Sequence, residues 1–411
     1  MQRSAPDIWL YLLVFLLMTI GILNLYSIEG FPDLSWKHTY TKQLLWAIIG
    51  SFIMGLSTLV EGQSWRYFSY SLYAFWLLIM LITVFIAREI NGTRAWLEVG
   101  ALRIQPSEFM KISTILAVSN YLTRYNFRWN SWRDRLWVGL LVGMPVLLTL
   151  LQKDTGTALT YIAFLAPFFR WNLSAWIIGI PFSMGLLAFL TLLYPWQYIA
   201  LGITGIAALS YLFLFRRRHL WWHLGIVALI GGWLSLSDIL YQRVLAPHQR
   251  QRIQALLNPH QDPLGAGWNV IQARIAVTAG GFTGRGYGKG LQSKLDFIPQ
   301  RHTDFAFCGI AEEGGWVGSS TLILLYAAFI LRITWIAEKS HSSYALLCGY
   351  GIAGFIWVHL LINLSMILGL FPVVGIPLVF VSYGGSSWVA LGWGIGILQS
   401  LYRERTLRLL S

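Results

Sequence analysis

From Ile8 to Tyr26 the chain reads IWLYLLVFLLMTIGILNLY, nineteen residues without a charge. A run of that length matches the hydrocarbon thickness of a bilayer, and runs like it recur along the whole chain. The spans so identified are 8–27, 42–60, 67–87, 105–122, 136–152, 157–171, 174–194, 197–215, 220–240, 305–332, 343–366 and 379–402, about twelve in all. No water reaches the bilayer core to satisfy peptide groups, so each span has to be helical. The expected fold is an all-α polytopic membrane protein, one domain over 1–411. Composition agrees: 11% of residues are charged and mean hydropathy is +0.59, whereas a soluble domain carries about 25% charged residues.

An even number of spans returns both termini to one side, and the Lys and Arg residues indicate which. With the N-terminus in the cytoplasm, fifteen of the thirty basic residues fall at inside positions and seven in short outside loops. The other eight lie in 241–304, a stretch too long to weigh in this rule, so both termini are expected to be cytoplasmic. The net charge of +13 contains inside clusters such as FRRRH at 215–219, which sit beside anionic lipid; short, scattered clusters of this kind do not make a nucleic-acid surface. Cys308 and Cys348 fall inside spans as small apolar residues, implying neither a disulfide framework nor a cysteine metal site. The first span is too long for a signal-peptide core and no small-residue cleavage site follows it, so it reads as retained.

Residues 241–304 form a long extracytoplasmic loop before the tenth span. It opens on YQRVLAPHQRQRIQALLNP, which reads as a basic amphipathic helix on the membrane surface. Further on comes GFTGRGYGKG, where glycines at 284, 286, 288 and 290 would let backbone N–H groups point at an anion. Neither a Walker nor a Rossmann context surrounds it. Arg274, Arg285, Lys289 and Lys294 nearby favour a pyrophosphate; the plain alternative is a flexible linker.

Ionisable residues at span edges are costly unless paired or facing water. Glu108 and Lys111 share a helix face, with Gln105 one turn earlier, and read either as a self-contained ion pair or as the wall of a polar cavity open to the outside. Asp154, after Lys153, reads as the cap of the next helix. His359 and Asn363, one turn apart, read as interhelical hydrogen-bond partners. Asp304 stands at the outer start of a span beside Arg301 and His302. Either it caps that helix, for about 1 kcal/mol, or it accepts a proton from an amphiphile's head group.

The stretches RIQPSEFMK, RHTDFAFCGIAEE and INLSMILGLFPVVGIPLVFVSYGGSS resemble the SEDS family (shape, elongation, division, sporulation). The stretch from Asn258 to Phe305 is closer to the RodA branch than to the FtsW branch, and the resemblance covers nearly the whole chain. It implies a peptidoglycan glycosyltransferase at the outer face of the bacterial plasma membrane, polymerising lipid II into glycan strands for cell elongation and shape. The implied partners are a class B penicillin-binding protein that crosslinks the strands and other elongation-complex proteins. The family's essential aspartate falls on Asp304, the tryptophan of its RAWL motif on Trp96, and the acid and lysine of QPSEFMK on Glu108 and Lys111. On this reading Asp304 is the general base for the acceptor hydroxyl. The pyrophosphate is met by basic residues drawn from Arg94, Arg103, Lys111, Arg274, Arg285 and Lys289, with Gln105 and His302 lining the site. Glu108 either pairs with Lys111 or anchors a divalent cation, Mg or Mn, for which the sequence shows no ligand set.

Three departures accompany the likeness. Residues 174–240 hold an extra transmembrane hairpin beyond the family's ten spans. Lys153 stands where relatives carry proline, and Gly314 stands where they carry leucine. Two other functions compete with the enzyme. A flippase for lipid-linked precursor would need ionisable groups spread through the bilayer depth, and a scaffold would not need Asp304 at all.

Overall fold

Helices occupy every expected span, and the departures fall where glycine or proline interrupts an apolar run. The structure is a computed structural model that describes residues 4–90, 92–99, 102–214, 220–243, 247–257, 266–295, 297–298 and 300–404. The FRRRH cluster at 215–219 and the NPHQDPLG stretch at 258–265 lie outside the described residues. The chain divides into two compact units, residues 1–172 with 268–411, and residues 173–267.

In the first unit the helices are α1 (Ile8–Ile28), α2 (Thr39–Leu59), α3 (Gly62–Tyr67), α4 (Ser69–Ile86), α5 (Pro106–Leu122), α6 (Trp132–Leu151), α7 (Thr155–Thr160) and α8 (Leu165–Arg170). The second unit holds α9 (Ala175–Leu193), α10 (Trp196–Leu214), α11 (Leu220–Arg243) and α12 (Pro247–Leu257). The chain then returns to the first unit with α13 (Ala266–Ala279), α14 (Leu291–Lys294), α15 (Ala306–Lys339), α16 (Ser343–Ile367) and α17 (Gly385–Arg403). Among the described residues six helices are long and apolar enough to cross a membrane: α1, α2, α4, α6, α15 and α16.

The expectation of purely helical structure is corrected at one point. Leu97–Val99 (β1) and Leu102–Ile104 (β2) pair as an antiparallel hairpin, with Glu98 opposite Arg103. The hairpin connects α4 to α5 at the helix ends, where backbone can pair across strands without the penalty it would meet in hydrocarbon. The segment read as a span over 157–171 is also not one helix. A 3₁₀ turn at Tyr161–Phe164 separates α7 from α8, and Pro167 lacks the N–H that would have closed on Ala163. Gly354 of α16 packs straight onto that carbonyl, where a Cβ would lie 2.6 Å from the oxygen.

The last span begins at Gly385, not at residue 379. Val379, Phe380 and Val381 are buried but irregular, and Phe380 has φ +62°. Their turn is closed by Ser382, whose N–H donates to Leu378 O (2.8 Å) and whose Oγ accepts from Leu378 N (2.8 Å). Non-helical backbone is tolerated in a membrane protein when protein surrounds it, and here protein does. α17 itself packs on α2 through glycines: a Cβ at Gly392 would lie 2.7 Å from Gly50 O, and one at Gly396 2.4 Å from Met54 O.

The two ends of the first unit differ in chemistry. At one end the chain's start and finish meet: Ser4 N donates to Arg403 O (3.1 Å), and Asp7 pairs with Arg332 and accepts from its Nε at 3.0 Å. At the other end α1, α4, α6 and α16 finish while α2, α5, α7, α15 and α17 begin, and every candidate site residue sits there.

Candidate active site

The site grows from the first turn of α5. Pro106 occupies the first helical position, where its missing N–H costs nothing, and Glu108 and Lys111 follow on one face. Both side chains are buried, and Lys111 Nζ lies 2.8 Å from Glu108 Oε1. The pair is not self-contained. Lys111 Nζ also lies 3.2 Å from His359 Nε2 on α16 and 5.7 Å from the centre of the Phe355 ring. His359 Nδ1 in turn sits 3.0 Å from the carbonyl of Pro377. Gln105 reaches the other way: its Nε2 donates to Asp154 Oδ2 (3.0 Å) and its backbone N donates to Ser386 Oγ (2.9 Å).

Asp154 is the cap expected of it, since its Oδ1 accepts from Thr157 N at 2.9 Å. It is also the end of the Gln105 link, so the capping and site readings meet in one carboxylate. Burial raises its pKa, against the hydrogen bonds from Thr157 that lower it. Lys153 has φ +59° and closes the end of α6. Its N–H donates to Leu150 O (2.9 Å) while Asp154 N donates to Thr149 O (3.0 Å), the pattern usually built on glycine. The Lys153 ammonium faces away, 3.1 Å from Glu89 Oε2.

Asp304 is buried at 8% exposure in a turn that ends at Phe305, the N-cap residue of α15. It therefore stands outside the cap position rather than in it. Asn363, one turn beyond His359 on α16, donates from the same Nδ2 to Asp304 O (2.8 Å) and Ile376 O (2.7 Å). The Asp304 carboxylate lies against Gly375, where a Cβ would be 3.3 Å from Oδ2. Tyr383 N donates to His302 O at 2.7 Å, fastening the same turn to the chain beyond Pro377. The Val374–Pro377 segment thus joins Asp304 to the Glu108–Lys111–His359 network.

Of the remaining basic candidates, Arg94, Arg103 and Arg274 have partners that place them. Arg94 Nε is 3.4 Å from Glu89 Oε2 and Arg103 Nε is 3.2 Å from Glu98 Oε1, both on the exposed connection that carries the hairpin. Trp96, partly buried, precedes β1 beside the buried Ala95. Arg274 on α13 donates from Nη2 to Gly369 O (3.2 Å), at the start of the stretch that leads to Gly375. Lys289 is exposed.

The glycine run has another use than the phosphate cradle expected of it. α15 is broken at Gly315, whose φ of +60° and ψ of −155° only glycine adopts without strain. The break strands two carbonyls and two N–H groups, and the run 280–286 meets all four. Arg285 N donates to Glu312 O (3.1 Å) and Gly286 N to Glu313 O (3.0 Å), while Trp316 N donates to Gly281 O (2.9 Å) and Val317 N to Phe282 O (3.1 Å). A Cβ at Gly315 would lie 2.3 Å from Gly284 N. Gly314, which stands where relatives carry leucine, has open space around it. Arg285 is drawn into the same plug, its Nη1 lying 3.8 Å from the fully buried Glu312 carboxylate. With the N–H groups of 285 and 286 occupied, the run offers an anion little backbone.

Among the described residues no three His, Cys, Asp or Glu side chains converge as a metal cage. Glu108, the alternative anchor for a cation, is turned to Lys111. This donor set does not fit a divalent cation held by protein ligands alone. Two residues carry more of the site than their sequence reading gave them, His359 and Asn363. Their one-turn spacing was legible; their partners, carbonyls of an irregular segment, were not.

The chain matches the family described as "Cell cycle protein", that of FtsW, RodA and SpoVE, over residues 8–201 and 200–407. It is 32% identical to the peptidoglycan glycosyltransferase RodA of Treponema pallidum, covering 97% of this chain and 98% of that one. It is also 32% identical to the peptidoglycan glycosyltransferase MrdB of Escherichia coli K12, over 87% and 85%. Among solved structures it is similar to a chain from work described as "Structural coordination of polymerization and crosslinking by a peptidoglycan synthase complex", with a TM-score of 0.70, 27% identity and coverage of 98% and 99%. The rod shape determining protein RodA of Thermus thermophilus follows at 0.64 and 25%, over 98% of both chains. With the family match spanning nearly its whole length, this chain belongs to the FtsW/RodA/SpoVE family of membrane proteins.

Proposed function

We propose that this peptidoglycan glycosyltransferase polymerises lipid II at the outer face of the plasma membrane with Asp304 as its general base. The acceptor sugar's 4-hydroxyl attacks the anomeric carbon of the donor. A new carbon–oxygen bond forms, the bond to the lipid pyrophosphate breaks, and the hydroxyl proton passes to the Asp304 carboxylate. A positioned base of this kind contributes a factor of about 10²–10⁴. The observation that supports the reading is the placement of Asp304: a buried residue whose carboxylate lies against Gly375 and whose backbone carbonyl is tied by Asn363 to the segment that also meets the Lys111 network.

Among the exposed basic candidates Arg274 is bonded to the stretch that leads to Gly375, through Gly369, and is the first choice to meet the departing pyrophosphate. A Mg or Mn ion would arrive with the pyrophosphate, as Mg commonly does when few carboxylates are offered. About twelve crossings, cytoplasmic termini and an inserted hairpin in 174–240 complete the topology. The solved synthase complex supports a crosslinking partner of the penicillin-binding class for this chain as well.

The test is strand formation from labelled lipid II by the purified protein, alone and with its class B partner, with and without chelator. Asp304→Asn is run beside wild type, its folding checked by elution profile. Polymer from wild type and none from the variant is the expected result. Equal polymer from both would end the base assignment. No polymer from either, with partner and cation present, would put lipid flipping first.

A further inference from the structure

His359 touches both the α5 network and the segment beside Asp304, and its two contacts fix its chemistry. The Pro377 carbonyl can only accept a hydrogen bond, so Nδ1 carries the proton. The Lys111 ammonium can only donate, so Nε2 offers a lone pair. Both contacts demand the same neutral tautomer, and neither leaves freedom for the other. The ring is buried at 4% exposure, which shields both nitrogens from bulk water.

The segment it holds has little regular structure of its own. Val374 to Pro377 is neither helix nor strand, and it is pinned from several sides. Asn363 takes the Ile376 carbonyl, Met366 Sδ lies 3.2 Å from Val374 N, and Gly156 of α7 packs so closely that a Cβ there would be 2.6 Å from Val374 O. Of these restraints, only the His359 bond passes through a charged partner. Through it the position of Gly375, and so the wall behind the Asp304 carboxylate, depends on where Lys111 and Glu108 sit.

We propose that His359 is a positioning residue of the glycosyl-transfer site, holding the Lys111 ammonium on one ring nitrogen and the Pro377 carbonyl on the other so that the Val374–Pro377 segment stays fixed against Asp304. This rests on the reading of Asp304 as the base. It also gives the buried Glu108–Lys111 pair a task other than packing, since the ammonium orients the imidazole that orients the segment.

The experiment compares His359→Phe, which fills the space without hydrogen bonds, with His359→Gln, which can still donate and accept. Strand formation from labelled lipid II is measured as kcat and KM per folded molecule, with Asp304→Asn in the same series. His359→Phe is expected to lower kcat by about 10²-fold, the effect of a displacement of about 1 Å, with KM unchanged, and His359→Gln to recover most of the rate. Wild-type kcat in His359→Phe would overturn the proposal. So would equal losses in both variants, which would make ring volume rather than hydrogen bonding the cause. Should His359→Phe not fold, histidine ¹⁵N spectra of the wild-type protein decide, with His359→Gln identifying the signal. A proton on Nδ1 supports the proposal and a proton on Nε2 overturns it. Activity surviving in Asp304→Asn would instead break the base reading, a separate failure from any of these.

Discussion

α5 and α9 are nearly the same length, 17 and 19 residues, yet their fates are opposite. α5 carries Glu108, Lys111, three serines and a threonine, and buries all but Phe109 and Asn120. α9 carries no charge, and none of its described side chains is buried; Trp176 is 78% exposed. In a water-soluble protein the more apolar helix would be the inner one. A bilayer reverses the order, because a polar helix gains only from protein partners while an apolar helix loses nothing against acyl chains. Apolarity here marks the outside, and the polar stripe marks where the chemistry is.

The strongest way to break this contrast is to remove one member of the α5 pair. Lys111→Met leaves the Glu108 carboxylate buried without its ammonium, a change that costs about 3–5 kcal/mol in such pairs. The expected outcome is a large loss of folded protein and of thermal stability in detergent. Adding Glu108→Gln should restore much of the stability and none of the activity, since His359 would still lack its donor. If Lys111→Met melts like wild type, the pair is not the keystone of α5, and the contrast with α9 loses its energetic basis.

A middle effect is expected at the break in α15. Gly315→Ala puts a side chain where φ is +60°, which costs about 1–3 kcal/mol in conformation alone, and drives its Cβ towards Gly284 N. Gly314→Ala, one residue earlier with open space around it, should be neutral. Thermal melts of the two variants side by side test whether the glycine run 280–286 serves the helix break. Equal melting temperatures would return that run to the role of a free anion-binding loop.

Much of this arrangement was legible in the sequence because it follows from local spacing. Each expected span contains helix, although 157–171 is interrupted by a 3₁₀ turn and 379–384 stays irregular, and the three-residue step from Glu108 to Lys111 placed both on one face. What escaped depended on where irregular backbone travels. The glycines at 284 and 286 announced freedom from side chains, but only the fold shows that the carbonyls of Glu312 and Glu313 use it. The break itself rests on Gly315, whereas the sequence set Gly314 apart only as a glycine where relatives carry leucine. The hairpin at 97–104 was lost inside a loop too short to show alternation. His359 and Asn363 read as helix-to-helix contacts because the stretch 368–384 has no periodicity to announce its path beside them. For the same reason residues 379–384 were read as the start of a span that begins at Gly385.

The smallest effect belongs to the second unit and sharpens the contrast from the other side. There Ser237 on α11 meets Thr191 on α9, Oγ to Oγ1 at 3.2 Å, and Ser237 Oγ also donates to Leu234 O at 2.7 Å. A hydroxyl pair of this kind resembles the α5 network in being a polar contact between helices, but each member can fall back on a carbonyl of its own helix. Ser237→Ala should therefore cost about 0.6 kcal/mol, the average for interhelical hydrogen bonds in membranes. Its thermal melt and its rate of strand formation should be indistinguishable from wild type. A loss near that of Lys111→Met would mean that the helices of the second unit are held by polar contacts after all. Polarity, not apolarity, would then specify both regions, and the contrast between α5 and α9 would be one of degree.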